Sequence, residues 1–231
     1  MARLFLVLFA LLAAAAAARG ASRPVVLELF TSQSCSSCPP ADALLADLAT
    51  SEADVLPLDF HVDYWNYLSW RDRFSLPAAT QRQRTYAAAL GAEVYTPQLV
   101  IDGTAQAVGS DRAAVIAAVA RARAAVANEA PGTAPTLLLR DSNGRLAVEV
   151  GAGPSGGKLL LVGFDPMHVT QIGAGENAGR TLTEVNVVRS LKELPAWRGA
   201  ATSLLVDKPA GARAVVLLQA ADGHILAAAT R

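Results

Sequence analysis

Cys35 and Cys38 are the only cysteines in the chain, and only Ser36 and Ser37 separate them. Two thiols at this spacing can close a disulfide on each other and open it again, which is two-electron exchange chemistry. An apolar, β-branched run precedes them (Val25-Val26-Leu27-Glu28-Leu29-Phe30) and a helix-starting Pro39-Pro40 follows. At a helix start the positive end of the macrodipole and unpaired N–H groups favour a thiolate, so this is where a reactive thiol would be placed. The plain alternative is a structural staple. A bridge across two residues restricts the unfolded chain by only roughly 2 kcal/mol on the loop-entropy account, and staples usually tie distant segments. The redox reading is therefore preferred. A second alternative takes Cys35, Cys38 and His61 as soft ligands for copper or zinc. No fourth good ligand accompanies them and no His/Cys pair lies at zinc-finger spacing. The sequence therefore assigns no metal site and implies no cofactor, and a copper carrier using the two thiols stays as the alternative function.

Other residues could complete a site. Glu28 is the one charge in its strand, either an edge carboxylate or a buried base. His61 and Asp63 fall at the C-terminal end of a second apolar run, Asp54 to Val62, where open α/β sheets hold ligands. Tyr64, Trp65, Tyr67 and Trp70 follow directly. They would either line a groove for a partner or fill the core under a long loop. Glu176, Asn177, Arg180 and Thr183 lie in a Gly-rich stretch, as a polar network, a binding surface or an ordinary loop. His168 and His224 are isolated and read as neither ligand nor catalyst.

The elements that must position these residues follow from periodicity. Ala41, Leu44, Leu45 and Leu48 recur at helical spacing. Leu76-Pro77 opens a helical stretch to Leu90 with Gly91 as its stop, and Ser110-Asp111 cap a third helix containing Val115, Val119 and Val126. Gln98 to Asp102 and Ala105 to Val108 flank the hairpin signal Asp102-Gly103. A linker of Pro, Gly and Thr at 129–135 precedes a change of texture. Beyond it, strands are expected at 136–140, 145–150, 158–164, 181–188, 213–219 and 224–229, with turn signals between them, as in a small β-sandwich.

Composition sets the outer limits. Of 231 residues 52% are hydrophobic, enough for a sizeable core and against disorder. Twenty Lys and Arg balance twenty Asp and Glu without a basic, aromatic-rich patch, which argues against nucleic acid as a partner. Residues 1–21 begin with one positive charge, continue as an apolar run to Ala18 and end in small residues. They read as a secretory signal peptide cleaved after Ala18 or Ala21, leaving no stable membrane anchor. Export would bring the cysteines into an oxidising compartment, periplasmic or extracellular.

With these motifs in place, residues Pro24 to Val126 resemble the thioredoxin superfamily. The order of strand, Cys-x-x-Cys helix, strand, helix, Thr96-Pro97 before a strand, hairpin and helix is similar to that fold's order. The stretches Leu29 to Asp42, His61-Val62-Asp63-Tyr64-Trp65, Tyr95-Thr96-Pro97-Gln98 and Gly175 to Thr183 resemble the signatures of a secreted bacterial thioredoxin-like family, domain of unknown function 1223. The resemblance implies fold and export but no substrate. By its analogy Cys35 is the nucleophile and Cys38 the resolving thiol. Pro97 is cis beside them, and Glu28 is a buried base serving Cys38, one residue further from the motif than in thioredoxins. No Trp precedes Cys35, and Ser36-Ser37 replaces Gly-Pro, so the intervening hydroxyls would stabilise a thiolate and push toward a more oxidising couple.

The sequence thus predicts an α/β protein: a thioredoxin-like domain at 22–128, a linker at 129–135 and a β-rich, sandwich-like domain at 136–231. Its expected function is thiol–disulfide exchange with exported proteins and an unknown redox partner. The site would comprise Cys35, Cys38, Pro97 and Glu28, with Thr96, Tyr64, Trp65, His61 and Asp63 contacting substrate.

Overall fold

The computed structural model describes residues 23–130 and 132–231, so the signal peptide expected at 1–21 lies outside the described residues. The elements run β1 (Val25–Thr31), α1 (Pro39–Ser51), β2 (Val55–His61), α2 (Pro77–Leu90), β3 (Gln98–Ile101), β4 (Ala105–Val108) and α3 (Arg112–Ala127). Strands follow: β5 (Leu137–Ser142), β6 (Arg145–Val150), β7 (Lys158–Gln171), β8 (Thr181–Glu193), β9 (Thr202–Val206), β10 (Arg213–Gln219) and β11 (Ile225–Thr230). Eight strands form one mixed sheet in the order β11-β10-β7-β8-β2-β1-β3-β4, and β5-β6-β9 form a second, smaller sheet. The architecture is mixed α/β. Segment 129–135 leads from α3 to β5, yet strands on both sides of it share the large sheet, because β8 lies beside β2.

β1 is buried along its whole length, as a run apolar but for Glu28 and Thr31 suits a strand covered on both faces. Alternation then sorts its residues. Val25, Leu27 and Leu29 pack with Leu44, Leu45 and Leu48 of α1 and Val115 and Val119 of α3. Val26 and Phe30 face the other way, with Leu58 and Phe60 of β2 and Tyr86 of α2. Parallel pairing sets Leu29 beside Asp59, Phe30 beside Phe60 and Thr31 beside His61. Asp59 and His61 therefore share the α1 face of the sheet, and Glu28 does not.

The helix boundaries follow the punctuation in the sequence. Prolines occupy the first turns of α1 and α2, where a missing N–H costs nothing. Gly91 ends α2 at φ 60°, and Asp111 caps α3 by accepting from the Ala114 N–H.

The small sheet packs Leu137, Leu139, Leu146, Val148 and Val150 against Leu159, Leu161, Val216 and Leu218 of the large one, with Trp197 buried between them. Two features of this half differ from expectation. β9 pairs with β6 although its short stretch, alternately exposed, gives little sequence signal. The strands expected at 158–164 and 181–188 extend into a long two-stranded ribbon, 158–171 with 181–193. The expected strand stops at Phe164, just before Asp165-Pro166, a dipeptide type that favours turns. Here it sits in an edge strand, because β10 pairs with β7 only as far as Phe164, and an edge tolerates a proline. The ribbon carries its turn, 172–180, across to the cysteines.

Candidate functional site

Cys35 and Cys38 form a disulfide, Cα to Cα 5.4 Å, at the start of α1, with Cys38 as the N-cap residue. Both are buried, at 1% and 0% exposure, while Ser36 and Ser37 between them are open to solvent. The Ser37 hydroxyl lies 3.3 Å from the Cys35 sulfur and is the donor, since a disulfide sulfur carries no proton. Pro39 and Pro40 remove the first two helix N–H groups, so the helix offers a thiolate its dipole more than its hydrogen bonds.

The Thr96–Pro97 peptide is cis, as the resemblance implies. Gly109 places Pro97 against the first turn of α1. The Gly109 N–H donates to the Pro97 carbonyl at 2.9 Å, and a Cβ there would stand 3.0 Å from the Ala41 Cβ and 3.4 Å from the Pro97 Cβ. Trp65 Nε1 donates to Thr96 Oγ1 at 2.8 Å, and Tyr67, 78% exposed, stacks on Trp65 with centroids 6.4 Å apart. The Tyr64 hydroxyl donates to Gln83 of α2. Tyr64, Trp65, Thr96 and Pro97 thus form one strip. Asp63 lies apart from it, its carboxylate accepting from Thr80 Oγ1 at 2.5 Å.

Glu28 is not a base for Cys38. It lies on the α2 face, where its carboxylate takes two bonds from Arg82, one from Nε and one from Nη2 at 2.8 Å, and a third from the Tyr86 hydroxyl at 2.6 Å. α1, which carries Cys38, is on the opposite face. The cavity lined by Arg82, Tyr86 and Gln219 is also on the Glu28 side.

The carboxylates on the cysteine side are others. Asp42, Asp59, Asp72 and Glu184 are all 5% exposed or less and surround His61, which is wholly buried. His61 Nδ1 donates to Asp72 Oδ2 at 2.6 Å, and its Nε2 lies 3.3 Å from Asp59 Oδ2 and 3.9 Å from Glu184 Oε1. Burial disfavours the His61 charge, but Asp72 and Asp59 outweigh it and hold the imidazolium pKa well above its ordinary value. Four carboxylates around one cation in a dry site cannot all ionise. Burial, reinforced by Asp59, pushes Asp42 well above the usual carboxylate range, and burial carries Glu184 up to about 7. Asp59 is raised by burial against the pull of His61. Asp72, also buried, is lowered by His61 and the N–H groups of Gln33 and Phe74. Both His61 nitrogens are occupied, so it is not free to join the thiols as a metal ligand. Among the described residues no group of three or more His, Cys, Asp or Glu is arranged to hold a metal ion.

Gln33 joins this cluster to its neighbours. Its N–H donates to Asp72 Oδ2 at 2.9 Å, its Nε2 to Glu184 Oε2 at 2.8 Å, and its Oε1 accepts from Trp70 Nε1 at 3.1 Å. Asn177 Nδ2, from the ribbon turn, donates to the Gln33 and Cys35 carbonyls at 3.0 and 2.9 Å. Glu176 accepts from the Ser36 N–H at 3.2 Å. Arg180 and Thr183 are exposed and make no such contact with the motif. Sequence reasoning passed over Asp42, Asp59, Asp72, Glu184 and Gln33. For Asp59 the available signal was the one that marked Glu28, a charge between two strand apolars, Leu58 and Phe60.

A mixed α/β sheet presenting a disulfide at a helix start, above buried acids, defines the class of protein. The chain belongs to the family described as protein of unknown function, DUF1223, which it matches over residues 26–219. Among solved structures it is similar to protein AGR_C_4864 from Agrobacterium tumefaciens, with 29% identity and a TM-score of 0.75. That likeness covers 90% of this chain and 94% of the other. It also shares a fold with HBP35 of Porphyromonas gingivalis at 15% identity and a TM-score of 0.57, covering 91% of this chain and 75% of that one. No curated protein matches. No helix among the described residues is long and apolar enough to cross a membrane.

Proposed function

We propose that the protein is an exported thiol–disulfide oxidoreductase with a thioredoxin-like first half, acting through Cys35 and Cys38 on cysteines of other exported proteins. The observation that carries this is the two-residue disulfide at the start of α1, with Asp42 one helical turn beyond Cys38. Residues four apart share a helix face, so Asp42 is the nearest acid of the cluster along the helix. It accepts from Thr31 Oγ1 at 2.8 Å, and burial, reinforced by the charge of Asp59, raises its pKa well above the usual carboxylate range, which favours its protonated form. The leader at 1–21, read as a signal peptide, belongs to the same proposal.

In the oxidising direction a substrate thiolate attacks the Cys35 sulfur, and the Cys35–Cys38 bond breaks. Cys38 leaves as a thiolate, buried from water, and takes its proton from Asp42. A second substrate thiolate then attacks the mixed disulfide and Cys35 departs. The substrate dithiol loses two electrons to become a disulfide, and the cysteine pair gains them. Reduction of a substrate runs the same steps backwards. The role that the resemblance implies for Glu28 passes to Asp42, because Glu28 lies across the sheet from Cys38 whereas Asp42 stands one turn from it on the same helix.

The test is capture. In Cys38→Ala the mixed disulfide cannot be resolved, so Cys35 is expected to retain exported proteins as dithiothreitol-sensitive conjugates on non-reducing gels. Cys35→Ala is expected to retain none. Stoichiometric Cu(I) uptake by the reduced protein, lost in either variant and without any conjugate, would replace exchange by the carrier reading.

A further inference from the structure

The ribbon turn does more to the cysteines than lie beside them. Asn177 holds the Cys35 carbonyl and Glu176 holds the Ser36 N–H, so residues about 140 positions away occupy the main-chain acceptor and donor that flank the Cys35 side chain. Free main-chain groups of this kind are what an extended peptide pairs with. Cys35 itself is 1% exposed, so an attacking sulfur has no route to it in this arrangement.

The turn is anchored at its base by buried Ile172 and Leu182, but its tip is open, with Glu176, Ala178 and Gly179 exposed. β7 has no partner but β8 beyond Phe164, and β8 meets β2 at the single pair Asp59–Val187. A two-stranded ribbon is marginal without further support. The side chains that pin it lie at its base, away from residues 176 and 177: Gln33 to Glu184, Arg73 to Thr170 at 3.2 Å, Asn186 to the Pro57 carbonyl at 2.9 Å, His168 against Phe74, buried Ile172 and Leu182, and Trp70 under Gly173 and Gly175. Asn177 Oδ1 is buried without a partner, an energetic cost carried only while the turn is down.

Resting on the exchange reading, we propose that Glu176 and Asn177 form a latch over the disulfide, that it lifts before Cys35 is attacked, and that its natural replacement is an extended, cysteine-bearing peptide segment. Such a segment regains the bonds to the Cys35 carbonyl and Ser36 N–H that the latch gives up. A small thiol regains neither and must wait for spontaneous opening.

The experiment follows reduction of the oxidised full chain by dithiothreitol at rising concentration. With a latch, the rate saturates at the opening rate. In Asn177→Ala the plateau is expected to rise about tenfold, the factor equivalent to about 1.4 kcal/mol, the scale of one or two net hydrogen bonds. Glu176→Ala, at an exposed side chain, is the second variant and should shift the plateau the same way by less. A rate in wild type that stays linear in dithiothreitol up to the fastest measurable value overturns the latch without use of any variant. A plateau unmoved by both substitutions overturns the assignment to this pair. Saturation with no conjugate in Cys38→Ala would leave the latch in place and remove the exchange function instead.

Discussion

Replacing Arg82 by methionine is expected to destabilise the protein by about 3–5 kcal/mol, the usual cost of breaking one side of a buried ion pair. Glu28 and Arg82 are 1% and 8% exposed, and among the described residues Arg82 is the one cation paired with Glu28. Their bonds join β1 to α2, and Arg82 Nη1 and the Tyr86 hydroxyl carry the network on to Gln219 of β10. Loss of the guanidinium therefore strands a carboxylate between two halves of the large sheet. The check is the urea midpoint at unchanged slope. Arg82→Lys should recover only part of the loss, because an ammonium cannot make the paired bonds from Nε and Nη2. Glu28→Gln keeps the shape and should cost less. Per folded molecule it should leave the rate of disulfide reduction untouched. A Glu28→Gln protein that folds normally but exchanges slowly would return the proton-transfer role to Glu28.

Glu28 also shows what a sequence can and cannot say. A lone carboxylate between Leu27 and Leu29 is conspicuous, and it is indeed special. Whether it serves Cys38 or Arg82 depends on which face of β1 it takes, and its partner lies 54 residues away. Local features were readable because their causes are local: the cysteine spacing, the prolines that open α1 and α2, the glycine that ends α2, and Thr96-Pro97 before β3. The acid cluster is not local. Asp42 comes from α1, Asp59 and His61 from β2, Asp72 from the loop before α2 and Glu184 from β8, and no periodicity links them. The ribbon that delivers Glu184 and Asn177 runs on past Phe164 through Asp165-Pro166, a dipeptide that favours turns, and only the pairing in three dimensions shows that the strand there is an edge.

Glu184 gives the second large effect, in the dependence of stability on pH. Its pKa in the folded protein is raised from 4.5 to about 7, chiefly by burial and further by the charge of Asp59. A carboxyl with a raised folded pKa binds its proton more tightly folded than unfolded. Its contribution is therefore complete below pH 4.5 and is lost as pH rises to about 7. Over that window the loss amounts to about 3 kcal/mol. Asp42 and Asp59, also raised, act with the same sign, and His61 extends the loss above its ordinary value of 6.5. Asp72 acts oppositely, but only as pH falls through and below the ordinary carboxylate value of 3.8. Wild type should thus be more stable at pH 5 than at pH 8. In Glu184→Gln the side-chain oxygen still accepts from Gln33, and no proton is held there to be lost. Its unfolding free energy, measured in urea from pH 5 to 8 with the disulfide intact, should fall more gently by close to one proton between pH 5 and 7. Parallel curves for the two proteins would mean that Glu184 is already ionised at pH 5 and that the proton of the cluster resides on Asp42 or Asp59 alone.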